Sequence, residues 1–201
     1  KKIKYRTVIK NLLKQDFIRL VLIMGLFILF FNHGLTQWLP TILVENGMNK
    51  VDAGYWSAIP ALIGLISAPF INQLATPQYR LQILMGLFVC AAFATLLIYL
   101  NHPSTLFLGL FLQGMCRGAM NGIAILMLID NEDDKGNNVG AATGLYWTVG
   151  EVGGALGPAT VGTIASLTGN FDAALFMMTI IAGILIICGS RLIKHKNLQS
   201  Q

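Results

Sequence analysis

Long stretches without a charged side chain constrain this sequence more than any other feature. Three of them run from residue 20 to 44, from 53 to 79 and from 173 to 190, and none contains Asp, Glu, Lys or Arg. Each is close to or above the roughly 20 residues that an α-helix needs to cross about 30 Å of hydrocarbon. Only 11% of the chain is charged, whereas soluble domains average roughly 25%. The sequence therefore predicts an integral membrane protein.

Turn-forming breaks divide the apolar sequence into six predicted membrane helices, which indicates an all-α polytopic bundle. The breaks read ENGMNKVD, TPQYR, NHPS, DNEDDKGNN and LTGNFD. The predicted spans cover about residues 18–44, 53–75, 81–100, 104–129, 139–167 and 171–192. Residues 1–17 precede the bundle as a basic segment, and residues 193–201 follow it as a tail.

The basic residues predict the orientation of the chain in the membrane. Seven of the fourteen Lys and Arg side chains lie in the first nineteen residues, and no nucleic-acid-binding motif accompanies them. With a cytoplasmic N-terminus, twelve basic residues lie on the inner side and only Lys50 lies on the outer side. By the positive-inside rule we expect both termini in the cytoplasm, in a prokaryotic cytoplasmic membrane.

The basic segment before the first span allows two interpretations. In YRTVIKNLLKQDF, apolar residues recur near helical spacing among lysines, as in an amphipathic helix that lies on an anionic inner leaflet. The alternative is a solvated linker that leads into the first span.

A weak internal repeat relates the first three spans to the last three. A shift of 84 residues places His33-Gly34 on Arg117-Gly118, and a shift of 86 places Gly64 on Gly150. Because three spans separate the copies, the second copy enters the membrane from the opposite side. This pattern predicts a 3+3 inverted repeat, which is typical of secondary transporters.

An arginine in the fourth span is the clearest candidate for a functional group. Arg117 lies about 20 Å from either end of its span, too deep to reach the surface easily. Gln113 and Asn121 lie one turn before and after it, so the three residues form a polar face. A charge at this depth is costly and marks a cavity, a partner or a substrate. Either substrate contact or a structural ion pair accounts for it.

Two glycine series predict close helix packing. The first is Gly114, Gly118 and Gly122. The second is Gly150, Gly153, Gly154 and Gly157, followed by Pro158. The second series lacks the strand and acidic residue of a dinucleotide loop, and in a membrane helix such residues let two backbones approach.

Two further ionisable residues lie at the depth of Arg117. Glu151 either pairs with Arg117 or carries a coupling proton. His33, with Gln37 one turn on, is either a histidine hydrogen-bonded within the bundle or a ligand and proton relay. The three cysteines fall inside apolar runs without metal-ligand spacing, so neither a metal nor a cofactor is expected.

Three stretches resemble the C-terminal half of a Major Facilitator Superfamily transporter. They read GLTQWLPTILVENGM, QGMCRGAMNG and GAATGLYWTVGEVGGALGPATVGTIASLTGNF. Within the superfamily the sequence is similar to the cyanate and nitroimidazole transporter group and to the anion:cation symporters. The loop before the third span often reads D-R-x-G-R-R in this family but is NQLATPQYR here, so the resemblance does not imply an ion pair at its remaining charge, Arg80.

The resemblance implies that the six spans are helices seven to twelve of a twelve-helix transporter whose halves rock about a central site. Helices seven and ten line the cavity in this family, which directs His33, Gln37, Arg117 and Asn121 towards substrate. Helix eleven flanks the interface between halves and carries Glu151.

The implied function is half of a secondary transporter, a symporter or uniporter, that moves a small solute such as an organic anion. The implied partners are the N-terminal half or a second copy, membrane lipid, the solute and a proton. A membrane module for assembly or reception without transport is the alternative. A membrane-embedded enzyme is less favoured because no nucleophile or metal cluster is evident.

Overall fold

The structure is a computed structural model that describes residues 5–131 and 138–199. Residues 1–4 of the basic segment and most of the acidic break DNEDDKGNN, including Lys135, lie outside this range. The described residues form seven α-helices and no strand. These are α1 (Tyr5–Leu12), α2 (Asp16–Glu45), α3 (Lys50–Leu74), α4 (Arg80–Tyr99), α5 (Pro103–Asn131), α6 (Val139–Thr168) and α7 (Asp172–Gln199).

Helices α2 to α7 lie on the six predicted spans. Five of them, α2 to α5 and α7, are long and apolar enough to cross a membrane. Helix α6 has the same 30-residue length as α2, but its glycines and Glu151 lower its hydropathy, so it is not among these five. Helix α7 continues to Gln199, because nothing in the predicted tail breaks a helix after residue 192.

The packing of the helices has the symmetry of an inverted repeat. Helix α2 packs along α6, α3 packs along α5, and α4 lies against both α5 and α7. The repeat relates α2 to α5, α3 to α6 and α4 to α7. Under this correspondence the α2–α6 pair is equivalent to the α5–α3 pair. Glycines lie at the contact in both pairs, since Gly34 approaches the backbone of Gly157 and Gly118 approaches that of Gly64. The predicted all-α bundle with its 3+3 repeat is confirmed.

Helix α1 is an amphipathic helix that packs on the bundle. It lies against α6, and the side chain of Leu12 is only 2% exposed in the apolar core. The basic side chains of Arg6 and Lys10 on this helix, and of Lys14 just after it, are exposed. The segment thus forms a helix that contacts the bundle through Leu12, while most of its other side chains are exposed.

Arg80 joins the ends of three helices. Its guanidinium donates to the carbonyl oxygens of Ala75 and Leu126, each at 3.0 Å, and forms an ion pair with Asp130. Ala75 is the C-cap residue of α3, whose carbonyl needs a donor, and Leu126 lies in the C-terminal part of α5. Arg80, the charged residue in the loop NQLATPQYR, therefore does form an ion pair.

We expect Arg80→Gln to destabilise the protein by about 1–3 kcal/mol, because two carbonyl groups and a carboxylate lose a charged donor. Thermal unfolding of the complete protein in detergent measures the loss. Arg19→Gln is the matched control, since its ion pair with Asp16 is exposed on both sides and is worth at most about 1 kcal/mol. Equal shifts for the two variants would contradict this role for Arg80.

Candidate functional site

Arg117 lies at the midpoint of α5 and lines a cleft between α3 and α5. The cleft has a volume of about 490 Å³. It exists because small residues and prolines on the two helices leave space beside the arginine. Its lining includes Pro60, Gly64, Ala68, Asn72, Arg117 and Gly118. Arg117 is half-buried and borders this cleft.

No carboxylate neutralises Arg117 within the part of the chain that the structure describes. The ion pairs there join Arg19 to Asp16 and Arg80 to Asp130. The predicted alternative of a structural ion pair with Glu151 is therefore not formed in this conformation. The positive charge remains available to the cleft.

Asn72 is a cleft residue that the sequence analysis missed. It lines the same space as Arg117, and its amide approaches Gly122. Its Oδ1 is buried without a hydrogen-bond donor among the described residues. The only sequence signal was a polar residue near the end of the second span. Asn72 is therefore a polar side chain on the α3 wall of the cleft.

The three residues of the predicted polar face of α5 lie in three different environments. Arg117 reaches the cleft, whereas Gln113 is completely buried, with neither amide atom bonded to a described residue. The Oδ1 of Asn121 accepts a 2.8 Å hydrogen bond from the hydroxyl of Tyr146 on α6. Tyr146 is itself fully buried, with its ring against Gly25 of α2. Asn121 thus links α5 to α6 through Tyr146.

We expect Tyr146→Phe to cost about 1 kcal/mol of stability, because it leaves the amide oxygen of Asn121 without its donor. A double-mutant cycle with Asn121→Leu, followed by thermal unfolding, isolates this coupling. Tyr55→Phe is the control, since Tyr55 is 74% exposed. Additive effects of the Tyr146 and Asn121 substitutions would show that the bond contributes nothing.

His33 and Glu151 lie beside one another across the α2–α6 contact. A Cβ built on Gly154 would lie 2.7 Å from Nδ1 of His33 and 3.4 Å from Oε2 of Glu151. The two polar atoms are therefore no more than about 6 Å apart, a distance at which charges interact appreciably. Both side chains, and Gln37 one turn from His33, are exposed on the surface of the bundle.

The glycine series of α6 brings its backbone onto α2. Gly153 meets the carbonyl of Leu26, and Gly157 meets that of Phe30. Gly114 and Gly118 lie close to the backbone of α3, and Gly122 lies close to the side chain of Asn72. Trp38 reinforces the first contact, because its indole N–H donates to the carbonyl of Pro158 at 2.8 Å.

The three cysteines form no disulfide, and Cys116 is buried whereas Cys90 and Cys188 are half-buried. Cys116 lies next to Cys90, and its thiol donates to the carbonyl of Leu87 at 3.1 Å. Across the described ranges, no three His, Cys, Asp or Glu side chains gather in a way that could hold a metal ion.

Comparison with known families matches the sequence profile of the Major Facilitator Superfamily to residues 2–131 and 78–200. The chain belongs to the Major Facilitator Superfamily. With its apolar helices, this superfamily member is an integral membrane protein.

Three relatives of this superfamily chain are named transporters. It is 29% identical over 154 residues to a quinolone resistance transporter of Acinetobacter baumannii, covering 74% of this chain and 35% of that protein. It is 27% identical over 161 residues to the probable nitrate transporter NarT of Staphylococcus haemolyticus (79% and 41%). Identity to the NarT of Staphylococcus epidermidis is 28% over 152 residues (75% and 38%). The chain therefore spans well under half the length of these relatives.

Proposed function

We propose that the chain is the C-terminal six-helix half of a secondary transporter that moves a small anion by alternating access. The observation that carries this proposal is the position of Arg117. Its charge lies at the middle of a membrane helix, opens to a cleft and has no carboxylate partner among the described residues. A charge so placed is stabilised by a bound anion. The nitrate transporters among its relatives favour the same class of substrate.

The half-transporter proposal rests on length and on exposed apolar surface. The chain covers 35–41% of its transporter relatives, and α3 is largely exposed. Its exposed apolar side chains include Leu62, Leu65, Ile66 and Phe70. The N-terminal half of the same protein, or a second copy of the chain, would cover part of this surface, and lipid would cover the rest.

The proposed orientation places both termini in the cytoplasm, in a bacterial inner membrane. The exposed basic side chains of Arg6 and Lys10 on α1, and of Lys14 just after it, then face the anionic inner leaflet. The buried Leu12 anchors α1 to the bundle at this surface.

Each candidate residue has a role in the proposed site. Arg117 contacts the anion by charge, and Asn72 contacts it from the other wall of the cleft. His33 and Gln37 supply polar groups on the surface of α2. Asn121 supports the site through Tyr146, and Gln113 supports it from inside the bundle.

Counterflow by the complete transporter in proteoliposomes tests the proposal. Vesicles loaded with unlabelled nitrate or small carboxylates are diluted into labelled nitrate, and neutral solutes and organic cations are tested in parallel. We expect anions alone to exchange. Exchange of neutral or cationic solutes only would contradict an anion site, and the absence of exchange with every solute would favour a module without transport.

A further inference from the structure

We infer that a phospholipid with a primary ammonium head group, phosphatidylethanolamine, binds in a groove between α4 and α7. The groove lies at the end of the bundle where α4 ends at Tyr99 and α7 begins at Asp172. Its volume is about 530 Å³, and it shares no lining residue with the cleft of Arg117. The inference goes beyond the proposed function, because it assigns a ligand to a surface on the outside of the bundle.

The walls of the groove are mainly apolar. Leu96 of α4 and Phe176 of α7 line it, and both side chains are largely exposed. Thr179 is the lining residue furthest from Asp172 along the chain, and it lies about 10 Å along α7 from it. Its hydroxyl is already bonded to the hydroxyl of Thr95 at 2.8 Å. The inner part of the groove therefore suits a hydrocarbon chain rather than a polar ligand.

Apolar side chains continue the groove along both helices towards the middle of the bundle. On α4, Phe93 lies one turn before Leu96, on the same helical face. On α7, Ile180 and Ile187 follow Phe176 by four and eleven residues, again on one face. Phe93, Ile180 and Ile187 are 50–57% exposed. From Phe176 to Ile187 this surface extends about 17 Å, which gives an acyl chain a continuous apolar track.

The groove lies away from the surface proposed for the second half of the transporter. That surface belongs to α3, which packs along α5 and α2. Helices α4 and α7 instead pack on one another, on α5 and on α2. Lipid is therefore the neighbour that we expect on the α4–α7 side.

Asp172 supplies a negative charge at the mouth of the groove. Its carboxylate is exposed and takes part in no ion pair or hydrogen bond with another described residue. A carboxylate only accepts hydrogen bonds, whereas a primary ammonium has three N–H donors. The quaternary ammonium of phosphatidylcholine has no N–H donor, and phosphatidylglycerol has no cation. The hydroxyl of Tyr99, at the same end of the groove, can donate to the lipid phosphate.

The charge at this end of the bundle disfavours an anionic lipid. The described charged residues there are three acids and one lysine: Glu45, Asp52, Asp172 and Lys50. An anionic head group would be repelled by this excess of negative charge, whereas a zwitterionic lipid has no net charge. Charge complementarity therefore selects phosphatidylethanolamine, with its ammonium on Asp172.

Native mass spectrometry of the complete transporter in detergent tests the inference. Phosphatidylethanolamine, phosphatidylglycerol and phosphatidylcholine with the same acyl chains are added at equal concentrations. We expect the wild type to retain about five times more phosphatidylethanolamine than either other lipid. Asp172→Asn should retain the three lipids equally, and Asp172→Lys should prefer phosphatidylglycerol. Glu45→Gln, which removes an exposed carboxylate at the same end of the bundle, should keep the wild-type preference.

Ala173→Trp tests the location of the bound lipid. Ala173 is exposed and lines the groove, so an indole at this position should fill the groove and abolish the preference. Equal retention of the three lipids by the wild type, or an unchanged preference in Asp172→Asn or Ala173→Trp, would overturn the inference. A dimer that is lost in Ala173→Trp would assign the groove to a second copy of the chain and would also overturn it. Bound lipid is measured without solute exchange, so none of these outcomes bears on the anion counterflow that tests the proposed function.

Discussion

Arg117→Ala in the complete transporter is expected to lower anion counterflow by about a hundredfold or more while membrane insertion is retained. Truncating one member of a desolvated charge pair typically costs about 2–5 kcal/mol, and about 3 kcal/mol corresponds to roughly a hundredfold change in binding. The arginine borders an open cleft rather than a packed interior, so its removal should spare the fold. Initial rates of nitrate exchange, normalised to reconstituted protein, measure the effect.

Two further variants test whether exchange requires a guanidinium at position 117. One keeps a positive charge there, and the other removes an arginine elsewhere. Arg117→Lys should retain part of the activity, because an ammonium keeps the charge but loses the planar fork that grips two oxygens. Arg191→Ala removes an exposed arginine from the end region of α7 and should leave exchange unchanged. Exchange by Arg117→Ala at the wild-type rate would exclude Arg117 from the site.

Gly153→Ala is expected to be the most destabilising of the small substitutions, because the new methyl group would meet the carbonyl of Leu26 on α2. A backbone atom cannot rotate away as a flexible side chain can, so α6 must move off α2. Overpacking of this kind costs about 1–3 kcal/mol or more. Thermal unfolding of the complete protein in detergent, together with the yield of monodisperse protein, measures the loss.

Gly144→Ala is the matched control on the same helix. A Cβ at Gly144 meets nothing within 4 Å, and alanine favours a helix over glycine by about 0.5–1 kcal/mol. The control should therefore unfold at the wild-type temperature or slightly above it. If Gly153→Ala and Gly144→Ala unfolded at the same temperature, close approach of α6 to α2 would not limit stability.

The fold could largely be predicted from the sequence because two local signals decide it. Hydropathy and turn-forming breaks determine where each helix lies, and α2 begins at Asp16 and ends at Glu45, close to the predicted 18–44. Hydropathy does not predict where a helix ends once it becomes polar, and α7 continues to Gln199 beyond the predicted end at residue 192. Local signals also could not predict that Leu12 of α1 is buried against the bundle, because that burial is a tertiary contact.

The site could be predicted only in part. The depth of a residue in the membrane follows from its position along one helix, whereas its contacts depend on how the helices pack. Counting residues along each helix gives the common depth of Arg117, His33 and Glu151. Which side chains meet depends on which helices pack together, and α6 packs along α2. Glu151 therefore lies beside His33 rather than in an ion pair with Arg117. Asn72 could not be predicted as a site residue, because it lies near Arg117 only where α3 packs against α5.

Equilibrium binding of nitrate to the purified complete transporter tests the central claim most directly, because binding requires neither rocking nor proton movement. Titration calorimetry compares the wild type with Arg117→Ala and Arg191→Ala. We expect saturable binding by the wild type and by Arg191→Ala, and affinity lowered by about a hundredfold or lost in Arg117→Ala. Equal affinity in all three proteins would contradict an anion site at Arg117.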